Sequence, residues 1–222
     1  MRIAAPSFIK KADRITNVIY LKEFVCEVEL LYMSSSYDGD DPDSVEVNLL
    51  AETDMLFNVH LPYDLDLSIE NKWSTIELFI NKLKALKAYT HTIHIQKEES
   101  FFVNLKNFID KTGAMITVEN AENDADLLGK IKGTGAGICA DLGQVMHYKG
   151  SVEKVLNDFS DEIKLIHLHA SYNNKDHQSL KYADPNTLTL IKKFAEEKDI
   201  AVCIEVFDKD GFFESLKIFS EL

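Results

Sequence analysis

Eight short runs rich in apolar and β-branched residues recur along the 222-residue chain, segments of helical pattern separate them, and no glycine-rich phosphate loop follows the first run. Together these observations predict a single (β/α)8 barrel over residues 1–222. The runs are Arg2–Phe8, Cys26–Tyr32, Met55–Leu61, His91–Gln96, Met115–Glu119, Gly137–Leu142, Ile163–His169 and Ile200–Phe207. Several are nearly continuous rather than alternating, as strands covered on both faces are. The length falls below the roughly 250 residues usual for this fold, so the loops must be short. The alternative, a doubly wound open sheet, expects the missing phosphate loop.

The helices are read from caps and period. Asp43-Ser44 caps Val45–Ala51. Ser68–Leu86 carries Ile69, Trp73, Ile76, Phe79, Ile80 and Leu83 near a 3.6 spacing. Ser100 is expected to cap the helix holding Phe102, Leu105, Phe108 and Ile109, which Gly113 stops. Asp124–Ile131, Ser151–Phe159 and Pro185–Glu197 follow, with Pro185 suited to a first turn. Gly211 opens a short last helix, and a first helix runs from about Thr16 to Val25.

Composition narrows the function. The formal net charge is −13, and Arg2 and Arg14 are the only arginines. Nucleic acids and anionic membranes are recognised through clustered Lys and Arg, so neither is expected as a partner. No run reaches the 18 or so apolar residues of a membrane span, and the first residues lack the pattern of a signal peptide. Cys26, Cys139 and Cys203 show no metal spacing and read as small buried hydrophobes. A cytoplasmic location is the expectation.

In a (β/α)8 barrel the active site lies where the strands end. The second run offers Glu29, the third His60, the fourth His94, the fifth Glu119, the sixth Asp141, the seventh His167 and His169, and the eighth Glu205; Asp176 and His177 come just after the seventh. Each alone has a structural explanation as a cap or a lysine partner. Six successive strands ending in imidazole or carboxylate do not, because carboxylates buried in a barrel need partners or metal. This donor set suits zinc, manganese or iron, one or two ions. Three other features rank lower. Gly133–Gly137 lacks the ending of a phosphate loop and reads as a tight turn. Asp38–Asp43 lacks the central glycine and closing Glu of a calcium loop. His91 reads as a surface residue at a strand start, and His147 as either a ligand or exposed.

The segments Val118-Glu119-Asn120, Cys139-Ala140-Asp141-Leu142-Gly143 and Ile166-His167-Leu168-His169 resemble the xylose isomerase-like, apurinic-endonuclease-like barrel superfamily. Within it, His60–Leu67 and Lys175–Leu180 look most like the cobamide-remodelling phosphodiesterases, which hydrolyse the phosphodiester of the corrinoid nucleotide loop. The resemblance implies a central metal site of Glu119, Asp141, His167 and Glu205. It implies a second site of His60 and His94 with Glu119 bridging, and part of a third at Asp176 and His177. The pattern breaks at Gln144, where the superfamily usually has histidine, and at the closed-up Asp176-His177.

Two enzymatic readings follow. In a metal-dependent phosphodiesterase, Glu119, Glu205, Asp176 and His177 do the chemistry, while Glu29, His169, Lys175 and Gln144 contact a corrinoid substrate. In a sugar or sugar-phosphate isomerase or epimerase, one ion holds two substrate oxygens, Glu119 and Glu205 move the proton, and His60 and His94 bind substrate. A ligand-binding barrel without catalysis is the third alternative. The sequence assigns no oligomeric state.

Overall fold

The computed structural model describes residues 1–222 apart from the side chain of Asp38. Eight strands, β1 (Arg2–Pro6), β2 (Glu27–Leu31), β3 (Leu56–His60), β4 (His91–His94), β5 (Ile116–Glu119), β6 (Gly137–Asp141), β7 (Ile163–Leu168) and β8 (Ala201–Ile204), pair in parallel with their sequence neighbours. The pairing of β1 with β8, Arg2 opposite Ala201 and Ala4 opposite Cys203, closes the barrel. The (β/α)8 architecture expected from the sequence is the one observed.

Eight α-helices wrap the strands: α1 (Arg14–Leu21), α2 (Ser44–Ala51), α3 (Trp73–Lys82), α4 (Glu99–Thr112), α5 (Leu142–His147), α6 (Val152–Asp158), α7 (Pro185–Lys198) and α8 (Lys209–Glu221). Their buried residues recur at helical spacing: Trp73, Ile76 and Phe79 on α3, Phe101, Leu105 and Phe108 on α4, Leu188, Ile191 and Ala195 on α7. These pack against strand residues such as Val28, Val59, Ile93, Val118, Ile138, Ile166 and Val202, forming the main core between sheet and helices. The alternate strand residues turn inward and are markedly polar. No helix among the described residues is long and apolar enough to cross a membrane.

Several local expectations are corrected. The first helix runs Arg14–Leu21 rather than from about Thr16 to Val25, with Asp13 capping it by accepting from Thr16 N. Ser100 lies inside α4, whose N-cap is Glu98; Gly113 ends it in the left-handed region as expected. Asp124–Ile131 is not an α-helix: Ala125–Ile131 forms a 3₁₀ stretch with no side-chain cap at Asp124 and with Gly129, a poor helix former, in its interior. The last helix is thirteen residues long, begun by Asp208 accepting from Gly211 N. Cys26 is exposed while Cys139 and Cys203 are buried. His91 is buried and faces the α3–α4 layer rather than solvent. Gly133 and Gly135, at φ 84° and 89°, make the expected turn before β6. In Asp38–Asp43, the Asp38 side chain lies outside the described residues, Asp40 pairs with Arg14 and Asp43 caps α2.

One element was not anticipated. After β7 the chain forms a hairpin of Ala170–Tyr172 against Lys175–Gln178, turned by Asn173-Asn174 with both φ values positive, 51° and 60°. Asparagine tolerates that left-handed backbone, which makes it a natural two-residue hairpin turn.

Candidate metal centre

The site is assembled by strand period and register. Because side chains alternate faces, Thr117 and Glu119, Cys139 and Asp141, Leu165 and His167, and Cys203 and Glu205 line the barrel interior, the second of each pair toward the mouth. Neighbouring strands then bring Glu119 level with His94 and Asp141 level with His167. Asn120 locks the ends of β5 and β6 together: its amide donates to Asp141 O at 2.9 Å and its oxygen accepts from Asp141 N at 3.0 Å. Gly143 follows because a Cβ there would run into the ring of His169.

Four groups of candidate ligands result, each with ligand atoms within 4.8 Å of one another; one of them, Glu119 with Cys139 and His167, overlaps the central group, which leaves three distinct ones. The central one joins Glu119, Asp141, His167 and Glu205. Glu119 Oε1 and Glu205 Oε2 lie 3.0 and 3.1 Å from His167 Nδ1. The second joins His60, His94 and Glu119: the two Nε2 atoms are 3.1 Å apart, and Glu119 Oε2 lies 3.1 Å from His60 and 3.6 Å from His94. A tetrahedral ion with ligands near 2.1 Å sets them roughly 3.4 Å apart. These spacings therefore match the edges of such a polyhedron. The third group joins Asp141, His169 and His177.

The surroundings fix which atoms are free to bind. His60 Nδ1 points at Leu61 O, 2.9 Å away, so it carries the proton and Nε2 is left as donor atom. His167 Nε2 lies 2.9 Å from Glu29 Oε1, which leaves Nδ1 facing the centre. Glu29, Glu119, Asp141 and Glu205 are at most 4% exposed, and no lysine or arginine pairs with any of them among the described residues. Glu29 Oε2 and His169 Nε2 are buried without a hydrogen-bond partner. Four buried carboxylates with imidazoles and one backbone N–H, that of Gln144 to Asp141, as their partners fit a centre completed by a cation.

Without an ion, the acidities divide. Burial would raise Glu119, but His167 and His60 beside it outweigh that and hold it well below the usual carboxylate range. Glu205 moves the other way, raised by its burial. Burial disfavours charge on His167 too, yet the surrounding acids lift it well above an ordinary histidine.

The remaining expected residues separate. Glu29 lies a layer below the mouth, fully buried, and reaches His167 rather than substrate. His169 is also fully buried; its ring stacks on His177, 4.1 Å centroid to centroid. His177 has φ 51°, rare for a residue with a side chain, and is clamped between His169 and Phe207. Gln144 donates to Asp176 Oδ2 at 3.0 Å and lies in none of the three groups. Burial would raise Asp176, but Gln144 and His177 together keep it below its ordinary value. Lys175 is exposed beside the hairpin turn. His147 bonds Ser171 at 2.8 Å and does not substitute for Gln144. The role of Glu29 beneath His167 was missed by sequence reasoning, although its place two residues before the end of β2 signals the deeper layer.

Fold and site together define a closed (β/α)8 barrel with candidate divalent-metal ligands at its mouth. No family model matches the sequence, and no curated protein does. Solved structures do match in fold. A D-tagatose 3-epimerase-like protein superposes with TM-score 0.81 at 17% identity, over 100% of this chain and 96% of that one. D-psicose 3-epimerase with D-tagatose, from Clostridium cellulolyticum H10, gives 0.74 at 9% identity over 100% and 98%. SacUVDE gives 0.67 at 14% identity over 100% and 98%.

Proposed function

We propose that the chain is a divalent-metal-dependent hydrolase that cleaves a phosphodiester in a small molecule, with residues 1–222 acting as one catalytic barrel. One observation carries this reading: the two oxygens of Glu119 are divided between two ligand groups, Oε1 toward His167 and Oε2 toward His60. A carboxylate so placed is suited to bridge two cations, the arrangement that two-metal hydrolases use. His60, His94 and Glu119 would hold one; Glu119, Asp141, His167 and Glu205 would hold the other.

Divalent ions bound there supply charge to the phosphoryl oxygens and leaving group and make a water acidic enough to attack at neutral pH. The chain's own part is positioning. Asp176, oriented by Gln144, offers a carboxylate at the rim to a water or substrate hydroxyl. His177, held with Nε2 3.9 Å from Glu205 Oε2, is placed to pass a proton to the departing oxygen. Both arginines are already engaged, Arg2 with Glu27 and Arg14 with Asp40 and Glu46, so phosphate charge falls to the cations. The likeness of His60–Leu67 and Lys175–Leu180 to cobamide-remodelling phosphodiesterases supports a corrinoid nucleotide loop as the diester.

A second reading, a sugar isomerase or epimerase with one ion, is favoured by a different observation. Glu119 and Glu205, from β5 and β8, converge on the same nitrogen of His167 and differ in acidity, as a base and acid exchanging a carbon-bound proton would. The activities named for most of the fold neighbours above side with it.

The test is elemental analysis of protein loaded with zinc, manganese or iron, followed by incubation with cobamides and with ketoses and mass spectrometry of the products. Two ions per chain and loss of the nucleotide loop are expected. One ion with an epimerised ketose would replace the first reading by the second. Loaded protein that converts neither would overturn both.

A further inference from the structure

The ligand residues occupy only part of the mouth, the arc from β3 to β8. The arc over β1 and β2, bounded by Phe207 after β8, carries none of these groups and is shaped differently. There lies a cavity of about 630 Å³, within the range of small-molecule sites, lined by Phe8, Ala12, Leu31, Met33, Tyr37 and Phe207 among others. Phe207 is the shared wall: one side faces this cavity and its ring stacks on His177, 4.9 Å between centroids. Phe8 and Tyr37 are 50% and 67% exposed, so their rings are open to a ligand entering the cavity.

The charges of the cavity are spent. Arg14 uses Nε on Glu46 at 2.8 Å, Nη1 on Asp40 at 2.9 Å and on Leu31 O, and Nη2 on Gly39 O, with its plane over Tyr32. Four of the five N–H groups of Arg14 are committed, and its single positive charge is set against both Asp40 and Glu46. Asp13 is committed to the N-terminus of α1. With Asp13, Asp40 and Glu46 set against the one charge of Arg14, the lining repels a phosphate, whereas a flat apolar surface has the rings of Phe8, Tyr37 and Phe207 to pack on.

We propose that this cavity is a substrate subsite for a flat, uncharged heteroaromatic ring system joined to the group that reacts at the neighbouring metal centre. The proposal rests on the metal-centred reading of that neighbouring arc. It makes the substrate a two-part molecule, with a polar reacting part over β3–β8 and a ring over β1 and β2, and so separates it from a free monosaccharide.

The test uses the full chain, zinc-loaded, with methyl-labelled methionine, titrated with benzimidazole, adenine and ribose. Both ring probes should shift the Met33 methyl and ribose should not. Ala12→Trp, which fills the cavity, should abolish the shift while zinc content stays at the wild-type value. Phe8→Ala, at a half-exposed position that leaves folding intact, should weaken ring binding about fivefold or more. An unmoved Met33 signal, equal binding by Ala12→Trp, or ribose competing as well as benzimidazole would overturn the subsite. Zinc failing to bind while the ring probes still shift Met33 would remove the metal reading and leave the subsite standing.

Discussion

The two ends of the barrel bury the same kinds of side chain and treat them in opposite ways. At the N-terminal end Glu27 is fully buried, yet its oxygens accept from Arg2 Nε at 2.7 Å, Asn58 Nδ2 at 2.9 Å and Tyr89 OH at 2.6 Å. Above it, Thr90, Thr92 and Thr117 share hydrogen bonds across β4 and β5. At the C-terminal end Glu29, Glu119, Asp141 and Glu205 are almost as deeply buried and meet histidines and, for Asp141, the backbone N–H of Gln144, but no lysine or arginine. The lower carboxylate brings its cation with it as Arg2, and the upper four do not. Residue type and burial therefore fail to distinguish a structural acid from a functional one; the source of the balancing charge does.

The sharpest way to break the contrast is at its pivot. Glu119→Gln removes the carboxylate that both upper groups share. Turnover should fall at least about a thousandfold, equivalent to ~4 kcal/mol of barrier, with bound metal reduced and the circular dichroism spectrum unchanged. Wild-type turnover in that variant would end the mechanism. The matching change below is Glu27→Ala, which leaves Arg2, Asn58 and Tyr89 without their acceptor. It should lower unfolding stability by about 3 kcal/mol, the low end for breaking a buried pair because the Arg2 side chain is 31% exposed, and leave metal content untouched. Lost metal in Glu27→Ala would show that the two ends are not independent.

His91 tests the lower end by pH. Burial pushes its pKa down from 6.5 to about 4. Between those values the unfolded chain binds a proton that the folded chain refuses, so this residue's contribution to stability is intact above about pH 6.5 and lost progressively as pH falls to about 4. The loss is about 3 kcal/mol. In His91→Leu the urea midpoint should decline less over that window; an unaltered slope would show that His91 does not carry it.

Much of this was legible in the sequence because barrel closure turns chain order into position. Once eight runs are recognised, His60, His94, Glu119, Asp141, His167 and Glu205 fall on one rim. What was not legible follows from depth and local competition. Glu29 reads as one more strand-end acid, but β2 pairs it with Asn58 rather than His60, so it sits a layer lower. His91 stands at a strand start, where exposure is the usual guess, and the packing of α3 and α4 covers it. Ser100 has the chemistry of a cap, but the helix starts at Glu99, two residues before a cap at Ser100 would start it. The hairpin that carries Asp176 and His177 was signalled by Asn173-Asn174, a turn pair hidden between two stronger patterns.

Glu29 is where the two ends can be compared within one residue type. It has a buried oxygen with no partner, Oε2, so in the metal-free protein its charge is expensive. Its other oxygen holds His167 Nε2, which fixes the ring with Nδ1 toward the centre. Glu29→Gln keeps the volume and an acceptor oxygen but removes the charge. Metal affinity should drop about 10–100-fold, the usual effect of losing a carboxylate behind a ligating histidine. Stability of the metal-free protein should hold steady or rise, opposite in sign to Glu27→Ala. Calorimetric metal titration and urea unfolding of the same sample measure both. Undiminished affinity together with lost stability would mean that Glu29 behaves as Glu27 does, a structural acid, and that the upper end is not organised around a cation.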